Sequence, residues 1–128
     1  MDPPTDDREA NSVCYQVRKI CYAIHQYYGH GHMGKVYKNA LAHRLQKTGL
    51  TAKQQEPITV YDEDGTILGA CFAGIVVNDR LILELKAVKT LAHEHIAQVL
   101  GYLKSARFRH VRLINFGSHR FEIKKYAL

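Results

Sequence analysis

The chain has 128 residues, 46% apolar and 23% charged, with a formal net charge of +6, enough for one domain with a real core and unlike collagen-like, disordered or membrane compositions. The longest apolar runs, such as Ala73-Gly74-Ile75-Val76-Val77, fall far short of the roughly 18–20 residues of a spanning helix. The acidic start, Met1-Asp2-Pro3-Pro4-Thr5-Asp6-Asp7, is the opposite of a basic export signal.

Residues 1–9, with four acids and one Arg, are expected as a disordered tail ahead of a single domain over 10–128. From Val13 to Tyr28 the apolar residues Val13, Cys14, Val17, Ile20, Cys21, Ile24, Tyr27 and Tyr28 recur at three- and four-residue steps, which predicts an amphipathic helix ended by Gly29-His30-Gly31. A second helix is expected from Met33 to Lys47, with Val36, Tyr37, Ala40, Leu41 and Leu45 inward. After a polar link, Thr51 to Glu56, the period changes to two. Ile58 to Tyr61 reads as a strand, Asp62-Glu63-Asp64-Gly65 as a turn, and Thr66 to Val77 as a second extended run. Asn78-Asp79 is a tight-turn pair that joins it to a third strand, Arg80 to Val88. Helical spacing returns between Leu91 and Leu103, with Leu91, Ile96, Val99, Leu100 and Leu103 on one face. Two strands close the chain, His110 to Phe116 and Arg120 to Tyr126. The order ααβββαββ implies an α/β domain with a mixed sheet.

Cys14, Cys21 and Cys71 form no CxxC pair and sit in apolar stretches, which is the pattern of reduced core thiols in a cytoplasmic protein. The charge divides by segment. Residues 10–55 hold seven Lys or Arg and no acid, residues 56–100 hold seven acids and three bases, and residues 101–128 hold seven bases and one acid. Basic flanks of this kind suit an anionic partner such as DNA or RNA. The candidate contacts are Lys35, Lys38, Arg44 and Lys47 on the outer face of the second helix and Arg107, Arg109, Arg112, Lys124 and Lys125 in the C-terminal segment.

The third strand carries the anomaly. In Leu81-Ile82-Leu83-Glu84-Leu85-Lys86-Ala87-Val88, alternation puts Glu84 and Lys86 on one face and Leu81, Leu83, Leu85 and Ala87 on the other. An ionised group in so apolar a strand needs a partner. Two solutions stand open: the two residues pair with each other at a sheet edge, or Glu84 holds a divalent metal with the Lys86 ammonium near an attacking water. Gln98 and Tyr102, four apart on the third helix, share a face.

Glu84-Leu85-Lys86 after a hairpin turn resembles the ExK of the PD-(D/E)XK nucleases. Further blocks run in order: Ile24 to Gly31, Val36-Tyr37-Lys38-Asn39-Ala40-Leu41, Glu84 to Val88, His95 to Gln98, Gly101 to Lys104, and Leu113-Ile114-Asn115-Phe116-Gly117. From about Cys14 to Tyr126 they resemble the bacterial GxxExxY family of that superfamily. The resemblance implies a restriction-endonuclease-like fold and an active site of which Glu84, Lys86 and Gln98 remain. The family's motif Glu falls on Gly34 and its metal-binding Asp on Gly74. A site reduced to Glu84 and a backbone carbonyl binds Mg²⁺ weakly, so the implied protein is a catalytically silent nuclease fold that binds nucleic acid or a partner protein, with no cofactor. The alternative is an atypical nuclease using Mg²⁺ or Mn²⁺, with Glu84, Lys86, the Leu85 carbonyl and the loop histidines His30 and His32. His95 is expected to make a structural hydrogen bond, and Tyr37 to pack between helix and sheet with its hydroxyl bonded inside. The strand from Arg120 could pair across a homodimer, although Lys124-Lys125 would oppose that.

Overall fold

A computed structural model describes residues 3–105 and 108–127. Helix α1 spans Pro3–Tyr28. It reaches into the acidic segment expected to be disordered, where Pro and Asp are residue types that suit a helix's first turns. Val13, Val17, Cys21 and Ile24 form its buried stripe, whereas Tyr27, expected inward, is 76% exposed and Tyr28 is also exposed. Gly29, at φ +72°, closes the helix with its N–H on the His25 carbonyl. Helix α2 spans Gly34–Lys47 and buries Tyr37, Leu41 and Leu45 as expected.

The polar link contains a short strand, β1 (Ala52–Gln54), which three residues of mixed polarity do not announce. Strands β2 (Pro57–Tyr61) and β3 (Ile67–Phe72) form a separate antiparallel hairpin. The extended run expected from Thr66 to Val77 is broken at Ala73-Gly74, and β4 (Ile75–Val77) belongs to the main sheet. Asn78 and Asp79, both at positive φ, make the turn into β5 (Leu81–Lys86), the left-handed pair that two-residue hairpins favour. Helix α3 (His93–Ser105) connects β5 to the parallel β6 (His110–Asn115), and β7 (Glu122–Ala127) closes the sheet. Leu100, expected inward on α3, is exposed.

The sheet order is β1-β4-β5-β6-β7, antiparallel except for β5 and β6. Leu81, Leu83, Ile114 and Phe116 face α1 and α2 across one core; Ile82, Val111 and Leu113 face α3 and Ile58 of the hairpin across the other. Strand β5 is therefore interior and covered on both faces, so Glu84 and Lys86 do not lie at the sheet edge. Buried Asn115 fixes the carboxyl end of this strand pair. Its Oδ1 accepts the Val88 and Gly117 N–H groups, each at 3.0 Å, and its Nδ2 donates to the Val88 carbonyl at 2.8 Å. An added Cβ at Gly117 would stand 2.2 Å from the Val88 nitrogen, so this approach requires glycine. Among the described residues, no helix is long and apolar enough to cross a membrane.

Candidate functional site

Alternation along β5 aims Glu84 at α3, where its carboxylate is 6% exposed. Three donors meet it. The Gly74 N–H donates to Oε1 at 3.0 Å, the Tyr102 hydroxyl donates to the same oxygen at 3.1 Å, and the Lys86 ammonium stands 3.8 Å from Oε2. Of the two solutions open from the spacing, the Glu84–Lys86 pair forms, but in mid-sheet and not at an edge, and a backbone amide and a phenol complete it. Gln98 joins at one remove, its Nε2 donating to the Tyr102 oxygen at 3.4 Å. Burial first, and then the Glu84 charge, push the Tyr102 hydroxyl well above its ordinary pKa. The Cys71 thiol is raised for the same two reasons, which keeps it protonated and unreactive.

Tyr102 is named from the sequence only as sharing a helix face with Gln98, and the structure places it on Glu84. That shared face was the signal, but only the fold brings it onto the carboxylate.

Gly74 lies opposite Glu84 where β4 meets β5. Its N–H goes to Glu84 and its carbonyl accepts the Gln55 N–H at 3.3 Å. A Cβ here would sit 2.6 Å from the Leu83 carbonyl oxygen, so the strands have closed over the space a side chain would need. Gly34 differs: a Cβ there meets only the Ala87 Cβ, at 4.0 Å. Position 34 has room for a side chain and position 74 has none.

An open cleft of about 370 Å³ lies over Glu84, lined also by Lys38 of α2, by Gln55 and Phe72, and by Gly74 and Leu85. The Lys86 ammonium thus pairs with this carboxylate, and Lys38 lines the cleft that opens over it. The donor set does not fit a Mg²⁺ ion. A hard cation is held by several oxygen ligands, and of the described acidic side chains only Glu84 lines this cleft, its Oε1 already accepting two hydrogen bonds and its Oε2 facing the Lys86 ammonium. Among the described residues, no three His, Cys, Asp or Glu side chains converge as a ligand set. The loop histidines expected as auxiliary ligands go elsewhere. His30 packs against His25 and His119, and His32 against Tyr28 and Tyr37.

Tyr37 is buried as expected, stacked on Phe116 at 4.7 Å with its hydroxyl donating to the Gly29 carbonyl at 2.7 Å. His95 accepts the Ala92 N–H through Nδ1 at 2.9 Å, the structural bond expected of it. The basic residues, by contrast, do not form one outer surface. Lys35 is exposed and Lys38 enters the Glu84 cleft, while Arg44 and Lys47 line a different groove of about 710 Å³ beside Ile20 and Tyr28. Arg109 is half-buried. Arg112 is 5% exposed, with its guanidinium reaching Cys14, because the even positions of β6 that it shares with Ile114 face α1. It is a buried cation and not a surface contact. Arg107 lies outside the described residues.

A family model of the PD-(D/E)XK nuclease superfamily matches residues 11–126. No curated protein and no solved structure matches the chain.

Proposed function

Because the chain belongs to the PD-(D/E)XK nuclease superfamily and has its restriction-endonuclease-like α/β architecture, we propose that it is a GxxExxY-type member that holds nucleic acid without cutting it. Gly34 and Gly74 stand where that type carries acids. The observation that carries this reading is the state of Glu84. Superfamily chemistry asks its carboxylates to hold a metal; here Oε1 accepts from the Gly74 amide and Tyr102, and Oε2 faces Lys86. The carboxylate has become an internal tie between β4, β5 and α3.

What the cleft retains is suited to phosphate. Lys38 lines it, and the carboxylate that lines it, Glu84, is already paired with the Lys86 ammonium. An ammonium facing a polyanion releases counterions on binding, so affinity should fall with salt. A Glu84 engaged in this way would leave an attacking water and a leaving oxygen without the pKa lowering and charge neutralisation that a metal supplies.

Titration calorimetry tests the loss of the metal site. Mg²⁺ and Mn²⁺ should give no saturable heat with the full chain, and a saturable site that disappears in Glu84→Ala would overturn the proposal. Anisotropy with labelled duplex DNA tests the retained binding: Lys38→Glu should weaken it by at least about tenfold, the scale on which a phosphate contact turned repulsive acts. Unchanged affinity would remove the cleft from the binding surface.

A further inference from the structure

We propose that the outer flank of α1, together with the start of β7, is a second binding surface, and that it takes single-stranded nucleic acid by stacking bases on tyrosine. The surface lies apart from the Glu84 cleft. On α1, Tyr15 and Tyr22 are two turns apart and 65% and 47% exposed, far more than packing requires of a tyrosine. Lys19, one turn from Tyr15, holds its ammonium 5.6 Å from that ring's centroid. Tyr22 stacks on Phe121 at 6.2 Å and 27°, so an aromatic platform already exists that a base could extend.

Charge selects the occupant. After Glu9, whose carboxylate pairs with Arg80 at 3.5 Å, α1 contains no acid, and the chain has none until Glu56. Arg18 and Lys19 are exposed on the helix, and exposed Lys125 of β7 lies close enough to α1 for its charge to act on Cys14. Cations interleaved with exposed aromatic rings on an acid-free stretch of helix match a ligand that alternates phosphates with flat bases. That is the arrangement of sequence-tolerant single-strand binding. A duplex keeps its bases stacked on one another and cannot use the rings.

The test is fluorescence anisotropy of the full chain with labelled oligo-dT and with a duplex of equal length. Tyr15→Ala/Tyr22→Ala should weaken oligo-dT binding by at least about tenfold, given the usual worth of base–aromatic stacking, and should leave duplex affinity within about twofold. Tyr15→Phe/Tyr22→Phe should bind oligo-dT as the parent does, which a role in hydrogen bonding or folding would not produce. Equal thermal unfolding of the parent and both variants is the control, since neither ring is in the core. The inference rests on the proposed retention of nucleic-acid binding, yet fails separately from it. Lys38→Ala should lower duplex affinity and spare oligo-dT, so loss of the oligo-dT result alone overturns the second surface and leaves the cleft standing. Oligo-dT binding that the alanine pair does not change would overturn it, as would no saturable oligo-dT binding by the parent. So would a concentration-dependent dimer, seen by size exclusion and lost in the alanine pair, which would show that the flank meets a second copy of the chain.

Discussion

Glu84 is a buried charge whose environment consists of donors, and each donor makes a distinct expectation. Tyr102→Phe removes a hydroxyl bonded to a carboxylate and should cost about 1.5–3 kcal/mol in urea unfolding. The same hydroxyl gives a pH dependence. Its folded pKa lies above the ordinary value of 10.0, so on raising the pH the unfolded chain releases this proton first. The bond's contribution is complete below pH 10.0 and declines above it. Unfolding measured from neutral to strongly alkaline pH should show a loss of stability that Tyr102→Phe lacks; parallel curves would contradict it. The two glycines should respond oppositely to alanine. Gly74→Ala pushes a Cβ onto the Leu83 carbonyl and should cost about 1–3 kcal/mol, whereas Gly34→Ala enters open space at the start of α2 and should be neutral or stabilise by up to about 1 kcal/mol. Much of this residue-level picture was legible. The shared face of Glu84 and Lys86 followed from strand alternation, and the burial of Tyr37 followed from its helical stripe. The burial of Arg112 was hidden because β6 is covered on both faces, so no polar alternation marks which of its positions meets solvent.

At the level of elements, the helices were readable from periodicity because each buries one stripe, and the Asn78-Asp79 turn was readable from its chemistry. The break between β3 and β4 was not. Ala73-Gly74 interrupts an otherwise extended apolar run, and only pairing shows that the residues before it belong to a hairpin and those after it to the main sheet. That break is what delivers the Gly74 amide to Glu84. The Leu113-Ile114-Asn115-Phe116-Gly117 block acquires a physical role as well: Asn115 ties β6 to the chain leaving β5, and the Phe116 N–H bonds the Lys86 carbonyl at 2.9 Å. Asn115→Ala strands the Val88 and Gly117 amides and should cost about 2–6 kcal/mol, from roughly 1–3 kcal/mol for each unsatisfied group. A loss under about 1 kcal/mol in thermal or urea unfolding would mean that water replaces the side chain.

Across the whole molecule, the net charge of +6 resolves into surfaces that a segment count does not separate. Lys38 belongs to the cleft, Arg44 and Lys47 to the groove between the first two helices, and Arg18 and Lys19 to the outer flank of α1. The candidate contacts on the second helix divide because Lys38 lines the cleft whereas Arg44 and Lys47 line the other groove, a matter of where neighbouring elements lie. For a duplex on the cleft, the logarithm of affinity should fall with the logarithm of salt concentration, and Lys38→Ala should reduce that slope by about one. A scaffold that binds and does not cut is tested most directly by labelled duplex and single-stranded DNA held at saturating protein with Mg²⁺ or Mn²⁺, then resolved on a denaturing gel. Full-length strands should persist throughout while anisotropy reports them bound; metal-dependent fragments that vanish in Glu84→Gln would show an active nuclease instead.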